Sequence, residues 1–99
     1  MSEPPAEKVA RIGRALSHPL RVELLALLLA TDELTPGALA RELEETGAAI
    51  DRQLSYLKSL EVVELRDEVQ PHGTVKQLCA LRAELRGPLM AVCTVRTAN

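Results

Sequence analysis

Residues 35–65 read TPGALARELEETGAAIDRQLSYLKSLEVVEL, and this stretch decides the fold. Thr35-Pro36 is a helix start. A threonine side chain can accept from the free N–H groups of a first turn, and proline at the first helical position needs no N–H of its own. Leu39 and Leu43 give the short helix that follows its buried side, and Thr46 is a second cap. Behind it Ile50, Leu54, Leu57 and Leu60 recur at helical intervals over about 47–60. One face of this longer helix is therefore apolar, and the other carries Asp51, Arg52, Ser55 and Lys58, with Ala48 and Ala49 at its start. Glu44-Glu45 separate the two helices. A glutamate in a left-handed turn costs about 1 kcal/mol, so a longer or differently shaped turn is expected. Val62, Val63 and Leu65 then change the pattern from helix to strand.

Upstream, ALSHPLRVELLALL (residues 15–28) is a helix that restarts at a proline. Pro19 ends one helix, because the residue before a proline disfavours the helical region, and opens the next at its first position. His18 falls at the N-cap or in a plain linker. The helix from Pro19 to Ala30 is leucine-rich around most of its circumference, which places it in the core or partly at a subunit interface. Before it, Val9, Ile12 and Leu16 form an apolar stripe on a helix from Glu7, and residues 1–6 are expected to be disordered. Leu34 is expected to anchor the turn before Thr35. Downstream, DEVQPHG (67–73) holds the turn signals Pro71 and Gly73, and Thr74 to Leu81 is a second strand with Val75, Gln77, Cys79 and Leu81 on one face. Residues 82–99 are broken by Gly87-Pro88. A final helix over 89–95 is favoured, although its β-branched content also permits a strand. The fold class is mainly α with a small β-hairpin, in the order α-α-α-α-β-β-(α). Residues 7–82 form the domain and 83–99 a C-terminal segment.

Composition sets limits. The chain has 99 residues, 46% of them hydrophobic, enough for one small core. Tyr56 is the single aromatic residue, so that core is built from Leu, Val, Ile and Ala. A domain this small buries a modest share of its surface, and dimerisation would help it. Net charge is −2. Residues 1–45 carry five basic and eight acidic side chains, and residues 46–82 five of each. No basic patch stands out, so contact with nucleic acid must come from a few well-placed arginines. Cys79 and Cys93 lack a neighbouring Cys or His at ligand spacing and read as reduced thiols. No leader and no run long enough for a bilayer is evident, which favours a cytoplasmic protein without membrane contact. A Gly-rich phosphate loop, paired carboxylates or a Ser/His/Asp set would signal catalysis. None is evident, and no enzymatic activity is expected.

Helix, helix, helix-turn-helix and a two-stranded wing is a known order. ALSHPLRVELLALL resembles the opening AL(A/S)(D/H)P-x-R-x-x-(I/L)-x-x-L of ArsR-type transcriptional regulators, and residues 35–65 look like their helix-turn-helix running into the first wing strand. The resemblance covers about Ile12 to Leu81. It implies a winged helix-turn-helix and a homodimer that binds operator DNA. The fourth helix would lie in the major groove, the 66–76 wing would touch the flanking groove or backbone, and half-sites would be about one helical turn apart. Carried over residue by residue, the reading helix presents Ala48, Ala49, Asp51, Arg52 and Ser55. Arg52 is the base-contact candidate, since a guanidinium can bond guanine O6 and N7 together. Gln53 would read an adenine edge if it faces outward. Thr46, Ser55, Tyr56 and Lys58 suit phosphates. Arg66, His72 and Lys76 would be the wing's contacts. The first and last helices would build the dimer through Val9, Ile12, Leu16, Leu89, Met90 and Val92.

The chain departs from the family pattern at Ala48, Ala49 and Asp51, where Ser or Thr is usual. Together with Glu44 and Glu45, these residues support an alternative: a winged-helix protein-interaction module with weak or no DNA binding. Metal-sensing members carry Cys-x-Cys on the third helix or Asp/His ligands on the last. DELTPGALAREL (32–43) and GPLMAVCTVRTAN (87–99) hold no such set, so no metal and no cofactor is expected, and the resemblance names no effector.

Overall fold

The computed structural model describes the backbone of residues 5–97 and the side chains up to Ala91. Helix α1 spans Pro5–Ala15 and α2 Pro19–Thr31; a two-residue strand β1, Glu33–Leu34, follows. Then come α3 (Pro36–Glu42), α4 (Gly47–Ser59), β2 (Val63–Val69), β3 (Val75–Leu81) and α5 (Ala83–Thr97).

The helix starts obey the caps read from the sequence. Thr35 Oγ1 accepts from Ala38 N–H at 3.1 Å, Thr46 Oγ1 from Ala49 N–H at 3.1 Å, and His18 Nδ1 from Leu20 N–H at 3.1 Å. Helix α1 begins at Pro5 instead of Glu7, because a proline is tolerated in a first turn. The expectation of disorder over 1–6 is therefore corrected at Pro5 and Ala6, and its remainder lies outside the described residues.

Helix α2 is the hub: Leu24, Leu25 and Leu28 are fully buried and Leu29 nearly so. Leu39 and Ala40 of α3, Ile50, Leu54 and Leu57 of α4, Val62 just ahead of the sheet, Val63, Cys79 and Leu81 within it, and Leu85 and Leu89 of α5 close around it. Leu43 and Leu60, expected in the core, are half-buried at its edge as the C-caps of α3 and α4.

The sheet has three strands where two were expected, in the order β1-β3-β2. Leu34 does more than anchor a turn: Glu33 and Leu34 pair antiparallel with Ala80 and Cys79, giving the inner end of β3 a partner on both sides. Strand β2 pairs with β3 from Val63↔Leu81 to Val69↔Val75. The hairpin is thus longer than the sequence suggests, running through Asp67 and Glu68, because cross-strand hydrogen bonds outweigh the low strand propensity of acidic residues. The turn is confined to 70–74, closed by Gln70 N–H to Thr74 O (2.8 Å) and Gly73 N–H to Gln70 O (2.9 Å), with Gly73 at φ 92°. Of the face assigned to β3, Cys79 and Leu81 are buried, while Val75 and Gln77 stand clear of the core on the projecting hairpin.

Helix α5 runs through Gly87-Pro88 without a break. Pro88 stands early in the helix, where it removes a single backbone hydrogen bond. Leu85 and Leu89 on either side are fully buried, so packing decides the conformation. Arg86 ties this helix to α2, donating to Leu29 O and to Asp32 Oδ1, both at 3.0 Å.

Both ends of the helix-turn-helix close on left-handed glutamates. After α3, Glu44 (φ 53°) donates to Arg41 O and Glu45 to Ala40 O at 2.9 Å. After α4, Glu61 (φ 57°) donates to Lys58 O and Val62 to Leu57 O at 3.0 Å. This is the paired closure that usually employs glycine. The turn does not lengthen to escape the strain; it accepts it. Glu44→Gly is expected to raise stability by about 0.5–1 kcal/mol, since relief of the left-handed cost exceeds the added freedom of the unfolded chain. Urea melts check it, and a lower midpoint would contradict it.

Cys79 is fully buried in the sheet. Burial pushes its thiol up to about 12. At pH 8 only about one molecule in ten thousand is then the reactive thiolate. Cys79 is expected to resist iodoacetamide in the folded protein at pH 8 and to react on unfolding, as peptide mapping would record. The raised value also means that the native fold loses stability as pH climbs from about 9 toward 12, because the unfolded thiol ionises first.

Candidate nucleic-acid interface

Helix α4 is pinned from one side by Ile50, Leu54 and Leu57, each at most 2% exposed. Its opposite side is open. Ala48, Asp51, Arg52, Ser55 and Lys58 are exposed, Ala49 is half-buried, and the capping Thr46 is exposed at the helix start. Among the described residues, Arg52 and Lys58 enter no ion pair. The open face therefore offers one guanidinium and one ammonium beside a single carboxylate, Asp51, and the helix's first free N–H groups lie at the same end as Ala48 and Ala49.

Gln53 and Tyr56 form the flank of α4 that adjoins α2. Here Arg21 dominates, a residue to which the sequence reading gave no role. Its Nη1 donates to Gln53 Oε1 at 3.0 Å, and its Nη2 to Ser17 Oγ at 2.7 Å and to Arg14 O at 3.2 Å. The guanidinium also lies over the Tyr56 ring, 4.6 Å from its centroid, a cation–π contact of about 0.5–1 kcal/mol at such a partly exposed site. One side chain thus joins the end of α1, the start of α2 and the middle of α4. The signal was an arginine in the first turn of an otherwise leucine-rich helix. Gln53 is accordingly half-buried and does not face freely outward as an adenine reader would; its carbonyl is engaged by Arg21. Tyr56 keeps 38% of its surface exposed.

The wing residues separate in a similar way. Arg66 is bound by both carboxylate oxygens of Glu33, at 2.7 and 2.9 Å, with Glu68 at 3.5 Å. The hydrogen bonds to Glu33 push its already high pKa further up. Its charge is compensated within the sheet, so it braces the wing against β1 instead of standing free, and Glu33 was not foreseen as its partner. His72 is exposed at the tip, its Nε2 2.8 Å from Thr74 Oγ1. Lys76 is exposed and, among the described residues, unpaired.

The residues expected at a dimer contact differ in their burial within one chain. Val9 on α1 is 69% exposed and Met90 on α5 46%. Ile12 and Leu16 are half-buried against the core. Leu89 is corrected: it is fully buried, because α5 packs onto α2 through Leu85 and Leu89. The side chain of Val92 lies outside those described. Among the described residues, no cluster of three or more His, Cys, Asp or Glu side chains could hold a metal ion, and no helix is long and apolar enough to cross a membrane.

No protein-family model and no curated protein matches the chain. Solved structures do. The homodimeric winged helix-turn-helix DNA-binding domain (residues 1–100) of Mb0332 from Mycobacterium bovis, described as a possible ArsR-family transcriptional regulator, is 31% identical over 99% of this chain and 88% of its own, with a TM-score of 0.72. The transcriptional repressor BigR from Xylella fastidiosa is 25% identical over 91% of this chain and 87% of its own, TM-score 0.73. HlyU from Vibrio cholerae, at 22% identity and TM-score 0.76, covers 95% of this chain and 97% of its own and shares the fold. An open fourth helix on an apolar footing, a braced wing and a 31% identity over nearly the whole chain agree: the chain belongs to the ArsR-type family of winged helix-turn-helix transcriptional regulators.

Proposed function

We propose that this protein is a DNA-binding transcriptional regulator that acts as a homodimer in the cytoplasm, without catalytic activity. The observation that carries the reading is the exposed face of α4, where Arg52 and Lys58 are unpaired among the described residues and Ile50, Leu54 and Leu57 fix the helix from behind. That face enters the major groove. Arg52 approaches base edges past Ala48, Ala49 and Asp51, while Thr46, Ser55, Tyr56 and Lys58 approach phosphates. His72 and Lys76 take the wing to the flanking groove or backbone.

Selection from a random DNA library with the purified protein, read at 50 and 200 mM salt, tests the proposal. About four neutralised phosphates per dimer correspond to roughly a hundredfold loss of affinity between these salts. Absence of binding at low salt would overturn it and favour a protein-interaction module.

The dimer is a separate expectation, supported by the homodimeric state of the Mb0332 domain and by apolar side chains left exposed on α1 and α5, Val9 and Met90. Residues 83–97 supply the α5 part of that contact. Sedimentation should give a species of two chains at tens of micromolar. A single 10.8 kDa species there would contradict it.

A further inference from the structure

Among the described residues, Gln53 is the one polar side chain of α4 whose hydrogen-bonding group is held by another part of the protein. An amide side chain can face either way, and its oxygen and nitrogen are alike in shape. Here the choice is forced. Arginine carries only donors, so the atom 3.0 Å from Arg21 Nη1 must be the carbonyl oxygen. Arg21 is itself fixed from several sides, by Ser17 Oγ at 2.7 Å, Arg14 O at 3.2 Å and the Tyr56 ring at 4.6 Å. It cannot follow Gln53 if the amide turns. The Gln53 carbonyl is thus committed inward, and its NH₂ group remains for an external partner.

From this geometry we propose that Arg21 is a positioning residue that sets the hydrogen-bonding polarity of the DNA-reading helix, holding the Gln53 carbonyl toward α2 and leaving the NH₂ donor as the group a base meets. A free glutamine pairs with adenine by donating to N7 while accepting from the N6 amino group. A glutamine whose oxygen is turned toward Arg21 cannot present both amide groups to one adenine. It suits acceptor edges: guanine O6 and N7 or thymine O4. The arrangement therefore disfavours adenine at the position in each half-site that Gln53 faces. The inference rests on the DNA-binding function proposed above.

Three variants in a random-library selection test it, each first checked for a native melting curve. Wild type should prefer guanine or thymine over adenine at one position per half-site by about tenfold. Arg21→Met keeps the apolar stem but frees the amide, and should admit adenine there. Arg21→Lys retains a donor and should keep much of the wild-type preference. Gln53→Glu can still pair with Arg21, so it should fold, yet it presents an acceptor and should shift the preference to cytosine, whose N4 amino group donates. A merely structural Arg21 would lower affinity evenly across sequences. Uniform loss in Arg21→Met with the base preference intact, or an unaltered preference in Gln53→Glu, would overturn the inference while leaving DNA binding standing. A wild-type protein that binds no DNA at low salt would overturn both.

Discussion

Leu57→Ala is expected to destabilise the protein by about 3–4 kcal/mol. Leu57 is fully buried in the row Ile50, Leu54, Leu57, and its carbonyl accepts the Val62 N–H that closes α4 onto β2 at 3.0 Å. Truncation removes three carbon atoms from a fully buried site in the core cluster, where the surroundings can collapse little. A domain of this size has about 5–15 kcal/mol in total, so the loss is a large share. It corresponds to a fall in Tm of roughly 15–25 °C. Urea denaturation should show a lower midpoint with an unchanged slope. Ser55→Ala on the exposed side of the same helix is the control, with an effect inside about 0.5 kcal/mol. Near equality of the two variants would mean that α4 is not seated as described.

The contrast between those two positions also explains what could be read from the sequence. The fold was legible because it rests on period and punctuation. Thr35, Thr46 and Pro19 each announce a helix start, and Ile50, Leu54 and Leu57 share one face whatever the rest of the chain does. Both signals are local. Strand β1 was not legible, because two residues, Glu33 and Leu34, have no period; their pairing is with Ala80 and Cys79, 47 and 45 positions away. Likewise Gly87-Pro88 reads as a break until Leu85 and Leu89 are seen to be buried together, which also takes Leu89 out of the candidate dimer surface. The candidate site divides along the same line. The exposure of Arg52, Ser55 and Lys58 follows from helix geometry. The engagement of Gln53 by Arg21, across 32 residues, and of Arg66 by Glu33, across 33, follows from tertiary placement that no local pattern encodes. A sequence reading counts charges; the structure separates those already neutralised from those free to meet a partner.

That separation makes Arg52 the residue whose loss should weaken DNA binding most. Arg66 is spoken for by Glu33, Arg21 by Gln53 and Tyr56, and Arg86 by Asp32 and the end of α2. Arg52 alone combines an arginine fork with exposure on the reading face and freedom from ion pairs among the described residues. A bidentate contact to guanine is worth about 1–3 kcal/mol of discrimination. Arg52→Ala is therefore expected to weaken binding to the selected site by about 10- to 100-fold and to relax preference at one base pair per half-site. Stability should change by less than about 0.5 kcal/mol, because the side chain is exposed. Lys76→Ala offers the comparison: a phosphate contact on the wing should be lost evenly across sequences, with a shallower dependence on salt. Fluorescence anisotropy against matched and single-substituted duplexes at two salt concentrations distinguishes the cases. An Arg52→Ala protein that binds its selected site as tightly as wild type would remove Arg52 from the reading face. Even loss across all sequences would reassign it to the phosphates.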